Sequence, residues 1–403
     1  MKVKKRDLVV VIISILLIHI SLIQRIASWQ SFYYIRWGMA AILFFIVMVN
    51  IKVIVNRNLN PHLLFFILIF CCCSIYSSYL NRNNNMLHVG IFNVVFFVDT
   101  FGALKYIKEK NKTSICINTI CIVLGIYCFL NDILMLTSPS HFFGNGKFLL
   151  YSKFLISYLH MILITLYASK NKKNDQFLFA LWCWTIIICI YMECSTGIQG
   201  AVVLLILYLL PEKFLLLLKN QIVAIATMIG FSVILILKNV IIEFPVVQYI
   251  IVNILHESTD LNSRLFIYNN LYKILKINPL WGFGAENNYV ACQRYLIISK
   301  YETAPDAQNG LIDWLISYGS IGTVVLLVIV FLCFAKARKN YNLYLMSMLY
   351  VFFVLGSIEI VFDITFFFVL ASYLYLECSN GVAQNKRIKR RRLKMRSRGY
   401  PLP

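Results

Sequence analysis

Strongly apolar runs recur from one end of the 403-residue chain to the other, and this repetition limits the fold more than any other feature. Roughly 17 apolar residues are the least that span the hydrocarbon core as a helix. Twelve stretches meet or approach that length, at about 8–24, 37–55, 62–80, 87–104, 113–131, 153–169, 175–192, 198–216, 220–237, 310–334, 342–357 and 362–378. Composition agrees: 60% of residues are hydrophobic, 14% are charged and mean hydropathy is +0.75. A soluble domain of this size buries its core without so large an apolar excess. The expected fold class is an all-α integral membrane protein with about 12 transmembrane helices. The first run, Leu8 to Ile23, meets Gln24 and Arg25 without a small-residue cleavage pattern and reads as a retained first helix. Pro211 near the end of the eighth run predicts a kink or an early stop.

The chain carries 38 Lys and Arg against 17 Asp and Glu, a formal charge of +21. In a soluble protein that excess points to nucleic acid; here its distribution decides. With the N-terminus inside, the clusters Lys2 to Arg6, Lys105 to Lys112, Lys170 to Lys173 and Lys336 to Lys339 share one side with the tail KRIKRRRLKMRSR. The other side is close to neutral. That asymmetry is the positive-inside rule, and it puts both termini in the cytoplasm. The tail then serves as a topology determinant against anionic lipid, with no nucleic-acid partner. Of the 12 cysteines, most lie within apolar runs, as Cys71, Cys72 and Cys73 do, and Cys292 lies outside them. No C-x-x-C or His/Cys cluster appears, so neither a disulfide framework nor a metal site is expected.

One long polar interruption breaks the pattern. The expected organisation is a nine-helix part over 1–237, an extracytoplasmic loop over 238–309, three helices over 310–378 and a basic cytoplasmic tail over 379–403. A connection of that length tends to carry function. Within it, Leu265, Tyr268, Leu271 and Leu275 recur at helical spacing, which predicts an amphipathic helix from Arg264 to Ile277, capped by Ser263 and closed by Pro279. Such a helix lies on the membrane surface or covers a cavity. Trp281-Gly282-Phe283-Gly284 reads as a tight turn, and a second short helix is expected over Asn287 to Ser299. Asp306 is placed to cap the tenth span, along which Asn309, Asp313 and Ser317 form one stripe, followed by Gly319 and Gly322. Other ionisable groups expected near this face are Arg25 and Arg36 around the first connection, Lys147, Lys153, Glu193, Lys238, Glu359 and Asp363; Asp99 lies deeper.

The order of these pieces resembles the O-antigen polymerase and O-antigen ligase superfamily. The residues that carry the resemblance are Ser195-Thr196-Gly197-Ile198-Gln199-Gly200-Ala201, Ser263-Arg264, Pro279-Leu280-Trp281-Gly282-Phe283-Gly284, Gln308-Asn309 and Gly319-Ser320-Ile321-Gly322. They cover about 130 residues. Two positions depart from the pattern: Gln308 stands where ligases carry His, and Gln199 where an Arg is common. The resemblance implies a fold like that of integral-membrane glycosyltransferases of the GT-C type. It implies inverting transfer of a growing glycan from a polyprenyl diphosphate to the next lipid-linked repeat unit, outside the bacterial cytoplasmic membrane. Neither a nucleotide sugar nor a cofactor or metal is required. Partners would be the polyprenyl-diphosphate-linked glycans, the bilayer, a flippase and a chain-length regulator. A ligase moving finished polymer to another acceptor is the near alternative, and a lipid-linked oligosaccharide flippase or transporter the alternative from another class; the lack of repeated halves counts against the latter.

The chemistry asks for cations on the leaving diphosphate and a base for the attacking hydroxyl. Arg264 leads for the diphosphate because it opens a helix, whose N-terminus also favours anions; Arg294, Arg25 and Arg36 follow. For the base, Asp313 and Asp306 lead because they flank the family-like Asn309, itself counted with them as a catalytic candidate, with Glu193, Glu302 and His256 left open. Trp281 and Tyr289 are candidates for stacking on sugar. Arg264→Ala is expected to abolish polymer while protein level is unchanged; retained chain length would remove Arg264 from the site.

Overall fold

The computed structural model describes residues 5–26, 29, 31–55, 60–82, 87–138, 148–170, 176–236, 249, 253, 264–285, 288–296, 306–338 and 341–376. Within these, regular structure is helical apart from one isolated bridge between Phe148 and Tyr151. The helices are α1 Lys5–Ser21, α2 Phe32–Val49, α3 Ile51–Ile54, α4 Pro61–Leu80, α5 Leu87–Glu109, α6 Thr113–Thr137, α7 Lys153–Lys170, α8 Gln176–Tyr191, α9 Ser195–Leu209 and α10 Glu212–Leu218. They continue with α11 Gln221–Ile236, α12 Arg264–Leu275, α13 Asn288–Tyr295, α14 Gly310–Ala337, α15 Leu343–Leu355 and α16 Ile364–Tyr375. A helix occupies each of the twelve apolar segments. Five of them, α2, α4, α5, α6 and α14, are long and apolar enough on their own to cross a membrane. The chain is a multi-pass membrane protein.

Local chemistry sets several boundaries. α9 stops at Leu209, and Pro211 begins a new short helix, the early stop that proline enforces. Asn60 caps α4 ahead of Pro61 at the first helical position, and Asn342 caps α15. Three expected edges are corrected. α2 begins at Phe32, so Arg36 lies inside a helix and not in a loop. α6 runs on to Thr137, so Asp132 is a buried helical residue whose carboxylate accepts from Trp184 Nε1 at 2.8 Å and pairs with His160 Nε2 at 3.0 Å. Asn309, not Asp306, caps α14: its Oδ1 accepts from Leu311 N and Ile312 N. Asp306 instead accepts from Gln308 N at 2.8 Å, closing the turn before the helix.

α14 packs along α4 and α11, while α5 packs along α2, α4 and α16. α14 is not continuous. Gly319 sits at φ 65°, ψ −172°, which breaks the helix into two halves. The turn after α12 fills the break. Phe283 N and Gly284 N donate to the Ile316 and Ser317 carbonyls, both at 2.8 Å, on one side. Ser320 N and Ile321 N donate to the Pro279 and Leu280 carbonyls, at 2.9 and 3.2 Å, on the other. From α4, Ser77 Oγ donates to the Ser317 carbonyl and Asn81 Nδ2 to the Gly282 carbonyl. Backbone groups freed inside an apolar helix must find partners, and here the turn supplies them. A side chain fits at neither glycine of the junction: a Cβ on Gly319, at positive φ, would overlap the Leu280 carbonyl, and one on Gly282 would lie 2.5 Å from Gly319 N.

The same junction seats the rest of the loop. Leu271 and Ile274 of α12, Phe283, and Ala291 and Cys292 of α13 form a small core with Ile312 and Ile316 of α14. α12 therefore packs on protein, covering the start of α14; it ends at Leu275, two residues before the expected boundary. α13 is described from Asn288 to Tyr295, and the expected Ser263 cap, the remainder of the second helix and the basic tail lie outside the described residues. Gly282→Ala and Gly319→Ala are each expected to lower stability by at least about 1 kcal/mol, since a side chain at positive φ costs about that much before any overlap. Because both substitutions break one junction, the double variant is expected to lose less than the sum of the two, read as thermal midpoints in detergent. Additive losses would mean that the turn and the break are independent.

Candidate functional site

A cavity of about 210 Å³ opens at the end of the bundle from which the loop departs. It lies among Gln24 after α1, the first turns of α2, the first turns of α5, the segment of α14 before the break, and the 356–363 turn between α15 and α16. Its polar lining is Gln24, Arg36, Asn93, Asp313, Ser317, Tyr318 and Asp363, set among aromatic side chains.

Each polar group has a local cause. α1 ends at Ser21 and leaves carbonyls without intrahelical donors. Arg36, nearly buried, reaches one of them: its Nε and Nη2 donate to the Ile20 carbonyl at 3.0 and 2.6 Å, and its guanidinium lies 4.3 Å from the centre of the Phe96 ring. A cation at a helix C-terminus is favourable, and a buried one needs such partners. Asp363 is the N-cap of α16, its Oδ1 accepting from Thr365 N at 2.8 Å and Phe366 N at 3.3 Å, while Oδ2 accepts from Gln24 Nε2 at 2.7 Å. Asn93 of α5 donates to the Tyr318 hydroxyl. Asp313 stands in the first turn of α14, half-buried, facing the same space.

The start of α14 is pinned to the 356–363 turn, and that brings the two carboxylates together. Gly310 N donates to the Gly356 carbonyl at 2.7 Å, Asn309 Nδ2 to the Ser357 carbonyl at 3.1 Å and Trp314 Nε1 to the Phe362 carbonyl at 2.8 Å. Asn309 is fully buried and its amide is occupied on both sides, which fixes the first turn of α14, where Asp313 stands.

Of the residues singled out from sequence, the structure brings Arg36, Asp313, Ser317 and Asp363 into one cavity. Arg25 lies beside Gln24 but outside the lining, donating to the Tyr151 hydroxyl at 2.9 Å with its guanidinium 4.8 Å from that ring centre. Arg294 is exposed on α13, 5.9 Å from the Tyr295 ring centre. Asp306 is half-buried in the turn before α14. Arg264 opens α12, and its side chain lies outside the described residues, as do Glu302 and His256. Glu193 is exposed at a positive-φ position, and its carbonyl accepts from Lys153 Nζ. Asp99 is fully buried in α5, away from the cavity lining, and its carboxyl oxygens have no hydrogen-bond partner among the described residues. Gln24, Asn93 and Tyr318 were not legible as site residues; nothing in their sequence surroundings separates them from other polar residues at helix ends.

Cys292 sits in the small loop core. Burial pushes its thiol up to about 12, with the charges of Asp306 and Asp313 adding to the shift. It is a neutral thiol at pH 7, unsuited to act as a nucleophile. Asn309→Asp keeps the cap acceptor but turns a carboxylate toward the Ser357 carbonyl. It is expected to cost about 1–3 kcal/mol, the range for losing a buried donor to a carbonyl, read as a fall in thermal midpoint. An unchanged midpoint would mean that the amide does not hold the 356–363 turn.

Residues 181–327 match the family model described as O-antigen ligase. No curated protein and no solved structure matches the chain. The matched stretch runs from within α8 through the loop to the second half of α14, and so takes in Asp306, Asn309, Asp313 and both sides of the junction at Gly319. Arg36 and Asp363 are contributed from outside it. The segment holding the loop, its docking turn and Asp313 is therefore the part of the chain similar to the O-antigen ligase family, which supports the resemblance to the O-antigen polymerase and ligase superfamily.

Proposed function

We propose that the protein is a polysaccharide polymerase that joins polyprenyl-diphosphate-linked repeat units on the outer side of the bacterial cytoplasmic membrane. The observation that carries this reading is the cavity lined by Asp313 and Arg36, with Asp313 inside the stretch that matches the O-antigen ligase family model. The basic end of the bundle faces the cytoplasm in this proposal, as the charge asymmetry favours, and the loop end faces outward.

Asp313 accepts the proton of an acceptor hydroxyl on the incoming lipid-linked unit. The oxygen attacks the anomeric carbon of the growing chain's lipid-linked sugar. The bond from that carbon to the diphosphate oxygen breaks, and the lipid diphosphate leaves with the bonding electrons. A single displacement inverts the anomeric configuration. Arg264, Arg294 and Arg25, on or near the loop end, are the cations proposed for the leaving diphosphate. Asp306 shapes the entry to α14 and Asn309 holds Asp313 in register. Polymerisation is favoured over ligation because Gln308 stands where ligases carry His; a flippase and a chain-length regulator are the proposed neighbours in the membrane.

The test is reconstitution of the purified chain with lipid-diphosphate-linked repeat units. A ladder of products with release of lipid diphosphate is expected, and Asp313→Asn is expected to slow it by about 10²–10⁴-fold, the range for losing a general base. Movement of the units across the bilayer without release of lipid diphosphate would replace the enzyme reading with transport.

A further inference from the structure

The cavity has the wrong charge for a diphosphate. Arg36 is its one cation among the described lining residues, against the two carboxyl groups of Asp313 and Asp363. A guanidinium grips a phosphate through a pair of adjacent N–H groups. One such edge of Arg36, Nε with Nη2, is turned onto the Ile20 carbonyl, and the flat face lies on Phe96. A diphosphate placed here would meet two like charges in a partly desolvated site, where repulsion is stronger than in water.

The same lining suits a sugar ring. Tyr33 and Trp37, one turn apart on α2 and meeting edge to face with ring centres 5.8 Å apart, line the cavity with aromatic surface against which the C–H side of a pyranose can pack, while Trp37 also meets Phe92 and His88. The amides of Gln24 and Asn93, the Tyr318 hydroxyl and the Asp313 carboxylate offer the mixed donors and acceptors that orient hydroxyl groups. The volume of about 210 Å³ is enough for a single ring. A general base must also lie within hydrogen-bond reach of the hydroxyl it deprotonates, so the space beside Asp313 belongs to the acceptor.

We infer that this cavity is the acceptor subsite, taking one neutral or amino-bearing pyranose ring and rejecting both a uronic acid and a diphosphate. The acceptor role rests on the transfer reaction proposed above; the ligand preference does not. A specificity for the charge of the accepting sugar follows, set by Asp313 and Asp363 together.

The experiment is a tryptophan fluorescence titration of the full chain in lipid nanodiscs. The probes are the methyl glycosides of a neutral hexose, an amino hexose and a hexuronic acid, and inorganic pyrophosphate. Saturable quenching is expected with the first two and is expected to vanish in Trp37→Phe; the uronide and pyrophosphate are expected to produce none. The double variant Asp313→Asn with Asp363→Asn keeps an N-cap at 363, so the fold is retained. It is expected to admit the uronide with affinity raised at least about tenfold. Saturable quenching by pyrophosphate through Trp37, equal binding of uronide and neutral glycoside, or no response to any glycoside would each overturn the subsite. If glycosides bind as expected while reconstituted protein releases no lipid diphosphate, the sugar site stands and the transfer reading falls.

Discussion

Everything at the loop end of the molecule depends on one backbone junction, the seating of residues 279–284 in the break of α14. An interrupted helix in an apolar bundle exposes carbonyls on one side and amides on the other, and leaving them unpaired costs several kcal/mol in all. Four backbone hydrogen bonds from the turn, with Ser77 and Asn81 of α4 beside them, satisfy both sides. Two glycines make the approach close enough. The junction explains why a Pro-x-x-Gly-x-Gly turn and a Gly-x-x-Gly pair, distant in sequence, occur in one chain: they are two halves of one contact.

The junction also joins the loop to the chemistry. Ser317 and Tyr318 line the cavity, while the carbonyls of Ile316 and Ser317 receive the turn. The loop turn is thereby tied to the cavity wall through backbone hydrogen bonds and not through flexible side chains. On the opposite wall, the 356–363 turn is bonded to the start of α14 through Asn309, Gly310 and Trp314, which sets Asp363 across from Asp313. Arg36 arrives from α2 because the end of α1 needs a donor. Three separate structural demands deliver the three charged groups to one place.

Hydropathy made the helical segments legible, since burial in lipid selects composition over long runs, and Pro211 and the amphipathic stripe of α12 were readable for the same local reasons. Arg36 was named as a candidate on charge and position, and Asp313 because it flanks the family-like Asn309. What escaped was long-range hydrogen bonding. The break at Gly319 looks from sequence like a pair of small residues in an apolar helix, because the carbonyls that meet it come from Pro279 and Leu280. Asp306 looked like the cap of α14, and the choice of Asn309 depends on its amide reaching the Ser357 carbonyl of a turn that is remote in sequence. Asp132 falls just past the end, at about 131, that hydropathy set for the fifth apolar run, whereas His160 and Trp184 allow it to stay inside the helix.

The most direct measurement is amide hydrogen exchange of the chain in nanodiscs, resolved at Phe283 and Gly284. Both amides lie in a glycine-rich turn outside any helix, so a free turn would exchange them quickly. Seated in the break, they are expected to exchange as slowly as the helical amides of α14 around Ile316 and to lose that protection together when Gly319 is replaced by alanine. Rapid exchange at Phe283 and Gly284 beside a protected α14 would contradict the junction, and with it the coupling of loop to cavity.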